Sequence, residues 1–243
     1  MSVGLGVHAS IVCTPVDTDD WMGASGTIHS VGSYRYPSAM SSIGALIHTF
    51  IDDDEAIRLL TKYYAGQYTG SRFDTAPQLQ SPDPHRFTAH DIAAVSTLSV
   101  ALSGTAVVGL VERDDELADL LRSVPLDVDL VDASDRHLDA VFAVQRTLDS
   151  INDIGHVTRS KLLAHKRPQL VPIRDQYVLT ALLGQSSGSF TQPLRDALVA
   201  DPSIGERLRA VQREARIPCP VSALRALDVV VWMATHGDSQ VAT

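Results

Sequence analysis

Cysteine is nearly absent from this chain. Cys13 and Cys219 are the two, and they form no CxxC pair. That excludes a cysteine-rich zinc site and argues against a disulfide framework, leaving two free thiols in a reducing cytoplasm. Aromatic residues make up 5% of the sequence, so Leu, Val, Ile and Ala must fill most of the core. No Lys or Arg precedes Arg35, and the opening "MSVGLGVHASIVC" has no uninterrupted apolar run. A secretory signal needs both. The longest apolar stretches, such as "TAVVGLV" and "DVVVWMA", are too short to span a bilayer, so the expected location is the cytoplasm, with no membrane partner. There is no Walker loop, no Ser–His–Asp motif and no GxGxxG, since Gly4 and Gly6 form only a fragment of one. No cofactor is implied.

What is present is an ordinary soluble composition: 243 residues, 44% hydrophobic and 20% charged, with a formal net charge of −9. An acidic balance argues against non-specific coating of nucleic acid, although it leaves room for one basic face. Residues 1–37 are rich in Gly, Ser and Thr without helical period and read as a loosely structured arm. From residue 38 onward apolar residues fall at helical spacing: "SAMSSIGALIHTFI", "DDEAIRLLTKYYAG" with Gly66 as a stop, "DELADLLRSV", "SDRHLDAVFAVQRTLDSI", and later "QPLRDALVA", "SIGERLRAVQREA" and "VSALRALDVVVWMATHG". "TAHD" at Thr88 is a capping-box pattern. "TAVVGLV" fits a helical turn or a short strand, and residues 68–86 read as a loop. The expectation is an all-α fold of eight to ten helices, one domain over 38–243.

One stretch stands out. "INDIGHVTRSKLLAHKRPQLVPIRDQYV", 151–178, carries Arg159, Lys161, Lys166, Arg167 and Arg174 with no acidic residue between Asp153 and Asp175. Asn152 and Asp153 suit a tight turn, and Gly155 tolerates positive φ. Pro168 and Pro172 end the helix that follows. Asp175 then heads "QYVLTALL", which Gly184 closes. Residues 135–184 thus read as helix, hairpin, helix, extended link and helix.

That segment resembles the helix-hairpin-helix DNA glycosylase superfamily, whose hairpin runs apolar–Pro–Gly–apolar–Gly, two residues, then Thr–Ala. Ile151, Ile154, Gly155 and Thr158 fall on matching places, and Asp175 falls on the catalytic aspartate. Asn152, Asp153 and Arg159 depart from the pattern, and Val157 stands where lyase-active members carry lysine. The resemblance implies a monofunctional N-glycosylase, with Asp175 stabilising an oxocarbenium-like sugar or activating water. It implies DNA as partner, held by Gly155, His156 and Thr158 at the bend and by Arg159, Lys161, Lys166 and Arg167 behind it. Asp153 at the tip would repel the phosphate. A closer resemblance is to a family of bacterial domains with no assigned function. It rests on "YTGSRFD", "FTAHDIAAVSTLSV", "KLLAHKRPQLVPIRD" and "LRALDVVVWM", covers most of the chain after about residue 50, and brings no activity with it.

Each candidate has a plainer reading. Asp175 is also a good N-cap for its helix. The basic run is also a solvated helix face. Tyr68, Arg72 and Asp74, with Tyr177, could line a ligand cleft; alternatively an Arg–Asp pair pins that loop to the body. Trp232 reads as core. His85 and His90, five apart beside Asp91, lack metal-ligand spacing, and no metal site is expected. The alternative to a glycosylase is a non-catalytic helical module for protein or small-ligand binding. A nucleoside- or nucleotide-processing enzyme on the same cleft is a third reading.

Overall fold

Helix starts in this chain are encoded by small polar residues. Ser42, Asp53, Ser103, Ser134, Asp175 and Ser222 each accept a hydrogen bond from a first-turn N–H of the helix that follows. Each such cap satisfies a donor the helix start leaves orphaned, for about 1 kcal/mol. The capping box at "TAHD" forms, with the Asp91 carboxylate accepting from the Thr88 N–H at 2.7 Å. The computed structural model describes residues 42–185 and 189–236. The proposed N-terminal arm, 1–37, lies outside the described residues.

Among the described residues twelve α-helices form and there is no strand. The all-α expectation holds, and "TAVVGLV" resolves as the helix α5 (Gly104–Glu112). Two features make the helices shorter and more numerous than periodicity suggests. The presumed loop at 68–86 contains the short helix α3 (Arg72–Thr75) between two 3-10 turns. The helix after Thr88, α4 (Ala89–Ser96), stops early because Ser99 takes a left-handed conformation, φ 60°. No helix among the described residues is long and apolar enough to cross a membrane.

One layer is built around α12 (Ala223–Thr235). Every residue from Leu224 to Val231 is buried. The helix contacts α1 (Ile43–Ile51), α2 (Asp54–Lys62), α9 (Gln176–Leu183) and α11 (Ser203–Ala215). α10 (Thr191–Ala200) completes the layer against α1. A second group holds α4, α6 (Asp114–Arg122), α7 (Asp135–Asp149) and α8 (His156–Lys166), with α8 packed on both α4 and α7.

The bend between α7 and α8 differs from expectation in one respect. Its left-handed residue is Asp153, φ 65°, whereas Gly155 is extended at φ −80°. Asp is among the few side-chain-bearing residues that tolerate this region. Here its carboxylate also accepts from the Ser103 hydroxyl at 2.6 Å, tying the bend to the start of α5.

The end of α8 is held by buried cations. Arg167 is fully buried and donates to the carbonyls of Leu121 (2.6 Å), Val124 (3.0 Å) and Pro84 (2.8 Å). Burial pulls its pKa down to about 10, which leaves it charged at neutral pH. Lys166 donates to Asp91 Oδ2 at 2.8 Å and to the Asp83 carbonyl at 2.8 Å. Together they fasten the 76–88 connection onto α8. Substitution Arg167→Met removes these three hydrogen bonds, leaving the Leu121 carbonyl only its turn bond from the Val124 N–H, and should lower the urea-unfolding free energy by about 3 kcal/mol or more. Arg122→Met, which removes an exposed ion pair with Asp119, should cost under about 1 kcal/mol.

Candidate functional site

After α2 the chain makes a π-helical turn, Tyr63–Gln67, in which Gly66 takes φ 94°. This turn brings Tyr63 and Tyr68 into a parallel stack, 5.5 Å apart and 14° from coplanar. Trp232 meets both rings edge-on, at 6.2 and 5.9 Å. From α9, Tyr177 stacks on His236 at 3.9 Å and 11°. These aromatics line a cleft of about 500 Å³ between the two helical groups. Trp232, expected in the core, is half-buried and forms part of this wall.

The polar residues of the cleft come from four separate elements. Asp175 caps α9, its Oδ1 accepting from the Tyr177 N–H at 2.9 Å. Its second oxygen has no protein partner among the described residues. Lys161 on α8 is buried and donates to the Leu98 carbonyl at 2.8 Å. Burial lowers the Lys161 pKa, which the charges of Asp175 and Asp228 partly offset. Asp228 sits one turn along α12 from Arg225 and accepts from it through Oδ2. Burial raises the Asp228 pKa to about 6 against the pull of Arg225.

Arg225 forms the back of the site. Its guanidinium donates to Asp74 (2.9 Å), Tyr63 Oη (2.8 Å) and the Gly70 carbonyl (3.1 Å), and lies 5.4 Å from the Tyr63 and Phe73 rings. A second cavity, of about 330 Å³, shares Arg225 and Asp228 with the cleft.

Of the sequence-derived candidates, Asp175, Lys161, Tyr68 and Tyr177 meet in the cleft. Arg72 is exposed and lines neither cavity, while Asp74 lines the second one. The pair that pins this loop is therefore Asp74 with Arg225, not Asp74 with Arg72. Gly155 and His156 are exposed at the bend and Thr158 is half-buried. The basic residues behind them do not form an outward face. Lys161, Lys166 and Arg167 are buried, and Arg159 is 11% exposed and paired with Asp149. The cause is that α8 is enclosed by α4 and α7, so its cations find carbonyls and carboxylates inside.

The sequence reading missed Arg225 and Asp228. Their signal was available: two charges three apart within an otherwise apolar helical run are seldom solvated and must find partners. Among the described residues no group of three or more His, Cys, Asp or Glu could hold a metal ion.

Asp91 anchors the far side of α8. It is fully buried and accepts from His165 Nδ1 (2.7 Å) and Lys166. Burial pushes its pKa up, but these hydrogen bonds win and hold it at about 2. A carboxyl depressed in the folded state contributes stability above its unfolded value and loses it as pH falls towards the folded one. The stability difference between wild type and Asp91→Asn should therefore shrink by about 2 kcal/mol as pH drops from about 5 to about 2, measured by denaturant melts across that range.

The sequence profile of a family of unknown function (DUF6308) matches residues 56–235. No curated protein and no solved structure matches the chain.

Proposed function

Because the chain belongs to this family of unknown function, whose description carries no activity, we propose from the geometry that the cleft binds a flat heterocycle of nucleobase size, and that Asp175 acts there on the bond joining such a base to its sugar. The observation that carries this reading is a carboxylate with one oxygen committed to a helix cap and the other unclaimed, on the wall of an aromatic cleft. Tyr68, Trp232, His236 and Tyr177 form one connected aromatic cluster on the wall, with Trp232 edge-on to Tyr68 at 5.9 Å and to His236 at 5.5 Å, and it offers a surface to a planar ring. Stacking of a base on such faces is worth about 1–3 kcal/mol each.

The chemistry follows from position. As the C1′–N bond breaks, its electron pair leaves with the base and positive charge develops on the sugar. The Asp175 carboxylate stabilises that charge, or accepts a proton as water adds to C1′. Val157, which lines the cleft in the first turn of α8, supplies no amine for a covalent intermediate. The reaction is then a hydrolysis by water.

A free nucleoside or nucleotide fits this site better than duplex DNA. Lys161, Lys166 and Arg167 are engaged inside the protein, which leaves the bend few cations to neutralise phosphates. A non-catalytic ligand-binding module is the second reading, favoured by the capping bond that Asp175 already makes.

The test is direct. Nucleosides, single-stranded DNA and duplex DNA, damaged and undamaged, are each incubated with the purified protein and scored for released base. Release from nucleosides that is abolished in Asp175→Asn supports the proposal. In parallel, tryptophan fluorescence of a Trp21→Phe variant, which retains Trp232, reports binding, and Tyr177→Ala should weaken it by about tenfold. Binding without release would assign the cleft to ligand capture alone. Base release from DNA with a steep salt dependence would restore the polymer as substrate.

A further inference from the structure

The second cavity has its own chemistry. His165 and Asp228 both line it. The His165 side chain is 5% exposed, and its Nδ1 lies 2.7 Å from Asp91 Oδ1. Asp91 is an ionised carboxylate, also held by Lys166 and by the Thr88 N–H, so it can only accept. The Nδ1–H of His165 therefore faces Asp91, and in the neutral ring Nε2 is an acceptor. That Nε2 is buried and has no hydrogen-bond partner, and the same is true of Asp228 Oδ1. Two buried acceptors without donors, on the wall of one cavity, are an unusual arrangement in a folded protein.

Charge points the same way. Arg225 is flanked by two carboxylates, Asp74 and Asp228, and all three residues line the cavity. This cluster carries one net negative charge. Phe73 also lines the cavity, packed against Arg225 and His165. The volume, about 330 Å³, lies at the small end of the range for ligand pockets.

We infer that this cavity is a second binding site, for a small organic cation that carries N–H donors, such as a guanidinium or a primary ammonium group. Its donors would meet His165 Nε2 and Asp228 Oδ1. Its positive charge would balance the Asp74–Arg225–Asp228 cluster. An anion would face two carboxylates and a lone pair, which disfavours it. The inference does not depend on what the aromatic cleft binds.

The experiment is a titration of the full chain, followed by NMR of labelled histidine side chains and backbone amides. The probes are methylguanidinium, n-butylammonium and tetramethylammonium, the last having the charge without the donors. The expected result is a saturable shift of the His165 imidazole and the Ser222 amide with the first two probes and none with the third. His165→Asn keeps a donor towards Asp91 but lacks Nε2, and should weaken binding by about tenfold or more. Gln169→Trp places bulk at an exposed position of the lining and should do the same without touching the buried network. It carries the test if His165→Asn fails to fold. Equal shifts with tetramethylammonium, affinities unchanged in both variants, or no saturable shift with any probe would overturn the inference, the last meaning that the cavity holds water alone.

Discussion

A single buried guanidinium organises the centre of this protein. Arg225 is 7% exposed and lies on the most enclosed helix of the fold. A charge in that position is tolerated only when its donors are satisfied and its field is answered by carboxylates. The partners come from the turn after α2, the 3-10 turn at Gly70, α3 and α12 itself. Those four elements are therefore set in mutual register by one side chain. Gly70 belongs to the same constraint: a Cβ there would fall 2.3 Å from Tyr63 Oη, so the backbone can reach Arg225 only without a side chain. The tyrosine stack, the two cavities and the placement of Asp228 all follow from this arrangement.

The aromatic cleft and the cation-binding cavity share the Arg225–Asp228 pair as a common wall. Asp228 answers Arg225 with one oxygen and leaves the other unpaired. Its carboxyl, lifted to about 6 by burial, changes charge close to neutral pH. Occupancy on one side thus alters the electrostatics felt on the other, because both ligands would meet the same ionisable group.

Local chemistry was readable from the sequence, and facing was not. Thr88 with Asp91, Asp175 before "QYVLTALL" and Gly184 at its end follow from capping rules that involve only near neighbours. Gly184 takes the left-handed conformation those rules require, φ 68°. The basic run of α8 shows where such rules end. Arg159, Lys161, Lys166 and Arg167 look like a solvated face because periodicity registers charge, not what encloses it. In the structure Ser160 to Ala164 are all buried, so α8 has no wide solvent side. The partner of Asp74 lies 151 residues away, beyond any spacing rule. The aspartate of the α7–α8 bend shows a third kind of gap. Its turn was legible, but whether Asp153 or Gly155 would carry the positive φ depended on Ser103, fifty residues earlier.

The inward turn of the cations also sets how the molecule looks from a distance. Among the described residues four cationic side chains, Lys161, Lys166, Arg167 and Arg225, are buried against two carboxylates, Asp91 and Asp228. The solvent-facing charge of the described residues is therefore more negative than their formal sum. Such a surface slows the approach of polyanions at low ionic strength and leaves neutral and cationic solutes unimpeded. The protein thus selects by charge among the solutes that approach it before any pocket is reached.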